Sequence, residues 1–136
     1  MIFLDSNIWC YGLLSQEKSK KERALAIIDS ACSGGDFCIS TQVISECANV
    51  LFTKGHLSPQ QVMTCLHYIK MVNTIVDITS DIIVRAVEIK ALYGLQYFDA
   101  QIIAAAEWAG CSTLWSEDLG DGQNYCGVFC VNPFLR

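Results

Sequence analysis

The sequence predicts a single α/β domain with a mostly parallel central sheet and helices on both faces. Three observations point there: short apolar runs, longer segments of helical periodicity between them, and material for one core but not two. The chain has 136 residues, 52% of them apolar and 17% charged. Surface scaling for that mass gives roughly 7,000 Å² folded against about 22,000 Å² extended, so about two-thirds of the surface is buried. Two Pro and nine Gly exclude low-complexity and collagen-like classes. No internal repeat or linker divides residues 1–136.

Ile2-Phe3-Leu4 is an apolar run of strand length that ends at Asp5. Ser15 to Ala31 reads as a helix: Ala24, Ile27, Ile28 and Ala31 recur at i, i+3, i+4, i+7, and Gly34-Gly35 stops it. Phe37-Cys38-Ile39 is a second strand. Ser40 or Thr41 caps a helix with Val43, Cys47, Val50 and Leu51 on one stripe, broken at Lys54-Gly55-His56. Ser58-Pro59 starts the next helix, which runs to Val72. Thr74-Ile75-Val76 is a third strand, and Thr79 or Ser80 opens a helix that stops at Gly94. Phe98 to Ala109 is the last helix, followed by strands at Ser112–Trp115 and Val128–Val131, with a polar, glycine-rich loop from Gly120 to Gly127 between them.

A net charge of −5 argues against a protein that coats nucleic acid through lysine and arginine. No apolar run approaches the roughly 18 residues of a bilayer span. The opening Met-Ile-Phe-Leu-Asp has no basic leader followed by an apolar stretch, so a cytoplasmic location is expected. Eight cysteines suggest a disulfide framework, but most sit inside apolar periodic stretches of a chain whose core suffices without staples. There is no Cys-x-x-Cys, and Cys126-x-x-x-Cys130 lacks a second pair for zinc. Reduced, mostly buried thiols are expected.

Ligands of open α/β sheets bind beyond the carboxyl ends of the strands. Asp5 and Asp118 fall at such ends. Glu46 borders the apolar stripe of its helix, and Asp99 heads the core-facing series Asp99, Ile102, Ile103, Ala106. Each acid alone can be a loop residue or a helix cap. Four together at one sheet edge would repel one another and demand cations. An all-oxygen set suits Mg²⁺ or Mn²⁺ rather than zinc or copper, and such ions activate water against phosphodiesters.

Asp5-Ser6-Asn7 after the first strand, Ile44-Ser45-Glu46, Tyr97-Phe98-Asp99-Ala100 opening an alanine-rich helix, and Ser116-Glu117-Asp118-Leu119 after a strand together resemble the PIN-domain family, and within it the VapC-like toxins of toxin–antitoxin pairs. The resemblance spans essentially the whole chain. It implies a Mg²⁺- or Mn²⁺-dependent endoribonuclease with Asp5, Glu46, Asp99 and Asp118 as catalytic and metal-holding acids. Asn7 and Ser116 would support them, with Asp121 as a possible further carboxylate beside its ordinary solvated reading. It further implies an RNA substrate, a cognate antitoxin, a homodimer and cleavage that leaves 5′-phosphate and 3′-hydroxyl ends. Positive charge is concentrated only at Lys18, Lys20, Lys21 and Arg23, the candidate RNA contacts, although such a run is commonly a solvated helix face.

Other signals read as structure. His56 and His67 have no ligand-spaced partner, and Trp9, Trp108 and Trp115 adjoin apolar segments and read as packing. Trp9, Tyr11, Leu13 and Leu14 could alternatively form part of an antitoxin groove. Three rival functions remain. A phospho-receiver needs a lysine after a late strand, and none follows Lys90; an Asp-x-Asp phosphatase has an acid where Asn7 stands. An inactive scaffold that binds only a partner would have no use for all four acids.

Overall fold

The computed structural model describes residues 1–14 and 16–135. Among the described residues six strands form one sheet: β1 (Ile2–Leu4), β2 (Phe37–Ser40), β3 (Thr74–Val76), β4 (Thr113–Trp115), β5 (Asn124–Tyr125) and β6 (Val128–Val131). The helices among the described residues are α1 (Ser6–Leu14), α2 (Lys18–Cys32), α3 (Thr41–Thr53), α4 (Pro59–Val72), α5 (Ser80–Tyr93) and α6 (Tyr97–Trp108), with a 3₁₀ turn at Pro133–Leu135. Accessible surface is 6965 Å², in line with the scaling above.

Strand order is β3-β2-β1-β4-β6-β5, all parallel except the β5–β6 pair. Successive side chains of a strand point to opposite faces. Phe3 and Leu4 are both fully buried, as are Cys38 and Ile39, so helices cover both faces as a parallel sheet requires. From β1 the chain builds outward on one side through β2 and β3, then crosses to β4 on the other. The switch point therefore lies between the carboxyl ends of β1 and β4, the usual crevice for ligands.

Three features differ from the sequence expectation. The segment after Asp5 is a helix of its own, α1, with Ile8, Trp9 and Gly12 buried. A Cβ on Gly12 would stand 2.5 Å from Ile28 Cδ1, so the glycine lets α1 lie close against α2. The second helix starts at Lys18, and the expected Ser15 start lies outside the described residues. The glycine-rich loop contains β5, joined to β6 by the two-residue turn Cys126-Gly127, both at positive φ (53° and 89°). Positive φ at both central positions is the turn geometry that matches strand twist.

The other boundaries follow the local chemistry. Ser40 caps α3 by accepting from the Val43 N–H, Ser58 and Gln61 form a reciprocal capping box on α4, and Gly94 ends α5 in the left-handed region at φ 65°. The eight cysteines are free; Cys38, Cys47, Cys111 and Cys130 are buried, whereas Cys32 is exposed. No helix among the described residues is long and apolar enough to cross a membrane.

Candidate active site

Asp5 is the first residue beyond β1. Parallel register sets Leu4 beside Trp115, and the Asp5 N–H donates to the Trp115 carbonyl at 3.0 Å, so the ladder continues one step and brings Asp5 beside Ser116. The Ser116 hydroxyl donates to Asp5 Oδ2 at 2.7 Å, and the Ser6 N–H donates to Oδ1 at 2.6 Å. Both Asp5 and Ser116 are buried. Burial pushes the Asp5 carboxyl up to about 6; the two hydrogen bonds oppose this, and the charges of Asp118 and Asp99 add to it.

Asp118 is exposed but held in place. Its N–H donates to Ser116 Oγ at 3.1 Å, and the Asn7 amide donates to Asp118 Oδ2 at 3.2 Å. Ser116 thus joins the two aspartates through one hydroxyl, and Asn7 ties the start of α1 to the turn after β4.

Glu46 comes from α3 and Asp99 from the first turn of α6. Burial raises Glu46 to about 7, with Asp5, Asp99 and Asp118 pushing the same way and the Gln42 amide opposing. Glu46 Oε1 is buried with no hydrogen-bond partner. Asp99 is raised by burial and by Asp118. Four elements of the chain therefore bring four carboxylates within electrostatic reach of one another. Two clefts border them. One, of about 530 Å³, includes Glu46 and Asp99; the other, of about 580 Å³, includes Asn7 and Asp118.

A buried amide network absent from the sequence expectation sets α3 against α6. Gln42 Nε2 donates to the Phe98 carbonyl at 3.0 Å, Gln101 Nε2 donates to Gln42 Oε1 at 2.8 Å, and the Tyr97 hydroxyl donates to Gln101 Oε1 at 2.8 Å. Gln42 precedes Glu46 by one helical turn, and Gln101 lies two residues past Asp99. Glutamines at i−4 and i+2 from the acids were the available signal.

The remaining candidates lie elsewhere or are engaged. Asp121 Oδ1 accepts from the Asn132 N–H at 2.8 Å, which ties the loop to the end of β6. Lys20 forms an ion pair with Glu117, and its Nζ lies 3.2 Å from Tyr11 Oη. Tyr11 donates to Glu117 Oε2. Arg23 Nε donates to the Pro133 carbonyl at 3.1 Å, Lys18 lies 4.0 Å from Glu22, and Lys21 is half-buried on the same helix. Trp9 is fully buried and is removed from any groove, while Tyr11 and Leu14 line the second cleft. Trp108, at the end of α6, is 61% exposed rather than packed.

Among the described residues no three His, Cys, Asp or Glu groups close into a ready-made metal cage. The donors nevertheless fit a hard cation. They are all oxygens, one of them buried without a partner, and Mg²⁺ ordinarily takes only one or two carboxylates and completes its shell with water and substrate phosphate.

The molecule is thus a doubly wound α/β domain with an acidic centre at its switch point. It belongs to the PIN domain family, whose sequence model matches residues 2–120. Domains of this family generally use divalent metal ions. No curated protein matches the sequence. Among solved structures, a chain of a toxin–antitoxin complex from Klebsiella pneumoniae is 24% identical, with a TM-score of 0.65 over 98% of each chain. VapC20 of Mycobacterium tuberculosis, a toxin that cleaves the sarcin–ricin loop, is 17% identical with a TM-score of 0.66 over 87% of this chain and 92% of its own. A chain of the Rickettsia felis VapBC2 complex, bound to a DNA fragment from its promoter, is 15% identical with a TM-score of 0.65 over 96% of this chain and 97% of its own.

Proposed function

We propose that the chain is a divalent-metal-dependent endoribonuclease, the toxin of a toxin–antitoxin pair. One observation carries the reading. Asp5, fixed by Ser116 and Ser6 at the switch point, feels the charges of Asp99 and Asp118, and Glu46 beside them keeps a buried oxygen without a partner. Membership of the PIN family and likeness to a sarcin–ricin loop-cleaving toxin and to toxin–antitoxin complexes supports the same conclusion.

Asp5, Glu46, Asp99 and Asp118 would hold Mg²⁺ or Mn²⁺. The ion supplies activation of water and charge neutralisation at phosphorus. Ser116 orients Asp5 and Asp118 together, and Asn7 fixes the second oxygen of Asp118. Burial of Asp5 beneath these groups keeps its carboxylate from swinging into solvent. The negative centre also accounts for how an acidic chain could act on RNA, since a bound ion would offset both the carboxylates and the substrate phosphate. The cognate partner would be a small antitoxin, and exposed apolar residues along α5 (Ile83, Val84, Val87) offer a surface for a second copy of the chain.

Asp5→Asn tests the reading. The variant folds and loses RNA cleavage in Mg²⁺ by at least about a hundredfold, since changes one layer outside a metal's ligands already cost about 10–100-fold. Cleavage at the parent rate by a stringently purified variant would overturn the assignment. A chain that cuts no RNA yet still captures a partner protein would be the inactive scaffold.

A further inference from the structure

Phe98 is 55% exposed although it follows half-buried Tyr97 and precedes half-buried Asp99. Phe98 lines the 530 Å³ cleft together with Glu46, Asp99, Gln96, Ser45 and Gln42. Tyr97 meets the ring edge-on at 5.2 Å and 81°, and Gln42 anchors the backbone beneath it by donating to the Phe98 carbonyl. Gln96 Oε1 accepts from the Asp99 N–H at 3.2 Å. That bond engages the amide oxygen and leaves the NH₂ able to donate.

We infer that Phe98 is the stacking platform for an unpaired nucleobase of the substrate, next to the cleaved phosphodiester, with the Gln96 amide donating to an acceptor on the base edge. The inference rests on the ribonuclease reading above and deepens it. Phosphate can approach these acids only where a bound ion neutralises them, whereas a neutral base needs no counter-charge, and unpaired bases are gripped by stacking on aromatic rings. The cleft volume falls within the roughly 300–1,000 Å³ of small-ligand sites. The chain also needs such a grip. Its net charge is −5, and Lys20, the central cation of its basic run, is committed to Glu117. Beyond the ion that the acids would hold, stacking and amide contacts then add affinity for RNA that the few cations of the chain do not supply.

The test uses a short single-stranded RNA with one cleavage site, and a set in which each flanking nucleotide in turn is made abasic. The expected result with the parent protein is a fall in kcat/KM of about five- to 150-fold at one position only, the range of aromatic–base stacking. Phe98→Ala shows the same fall on intact RNA and no further fall on that abasic substrate, while Phe98→Tyr keeps the parent behaviour. Thermal unfolding of each variant checks that the fold is unchanged. Parent-level cleavage of intact RNA by Phe98→Ala, an abasic penalty that survives in that variant, or an effect confined to capture of a partner protein would each overturn the stacking site alone. Failure of the parent to cut any RNA would overturn the ribonuclease reading, and this inference with it.

Discussion

Glu46 and Glu117 are partly buried glutamates beside the same acidic centre, and their electrostatics are opposite. Burial would raise Glu117, but Lys20 and Tyr11 outweigh it and hold its carboxyl below the usual range. Its charge is satisfied within the chain, and the cluster binds α1, α2 and the turn after β4 together. Glu46 is raised to about 7 by burial and by neighbouring aspartates, with one buried oxygen unpartnered. A cation from solution would do for Glu46 what Lys20 does for Glu117. Two acids of the same type thus separate into one that builds the structure and one left open for a ligand, which marks functional sites more sharply than acidity does.

The largest effect should come from removing each charge in turn. Glu46→Gln is expected to lower kcat/KM for RNA in Mg²⁺ by at least about a hundredfold, beyond the roughly 10–100-fold of second-layer changes. Glu117→Gln keeps the side-chain volume and one acceptor oxygen while removing the charge, and should stay within about threefold, as befits a residue that holds elements together away from the reacting atoms. Equal losses in the two variants would erase the distinction.

The two glutamates also predict opposite pH behaviour for stability. Asp5 and Glu46 have folded-state values near 6 and 7 against ordinary values of 3.8 and 4.5. Between about pH 4 and pH 7 the folded chain therefore keeps protons that the unfolded chain has released. Stability from these groups falls as pH rises through that window and is fully lost above it. Glu117 has the reverse sign: its contribution is present above its ordinary value of 4.5 and is lost as pH falls below it. Divalent ions replace the missing protons, so Mg²⁺ at about a hundred times its Kd should raise Tm by roughly 10 °C at pH 7.5. The rise should be much smaller at pH 5. Asp5→Asn should raise the metal-free Tm at pH 7.5 and abolish the response to Mg²⁺. A Mg²⁺ response equal at both pH values would break the link between the raised carboxyls and the ion.

What the sequence made legible follows from range. The strands were readable because parallel strands buried on both faces are continuous apolar runs, as Phe3-Leu4 and Phe37-Cys38-Ile39 are. Asp5, Glu46, Asp99 and Asp118 stood out because each breaks such a run or borders a periodic stripe, and the structure brings all four into electrostatic contact. Helix α1 was not readable: Ile8, Trp9, Cys10, Leu13 and Leu14 put apolar residues all round it, which blurs the helical period. Strand β5 has two residues, too few for a pattern. Glu117, the partner that takes Lys20 across to the turn after β4, lies 97 residues from it, and the partners of Gln42 lie 56 and 59 residues away, so the charge run alone does not distinguish a lysine that meets a distant glutamate from one that meets solvent.

That last limit gives the smallest and most specific effect. Lys20 and Lys21 are adjacent in sequence, and both read as RNA contacts from the charge run alone. Lys20 turns to Glu117 and Tyr11, with its ammonium 4.8 Å from the tyrosine ring centre. Neutralising a phosphate contact on single-stranded RNA should reduce the slope of log K against log salt by about 0.7. Lys21→Gln should change that slope and leave Tm alone. Lys20→Gln should leave the slope alone and lower Tm by a few degrees, because it strands the Glu117 carboxylate beside Tyr11. If Lys20→Gln instead reduces the slope with Tm unchanged, the ion pair opens on RNA, and Glu117 is as available to external charge as Glu46.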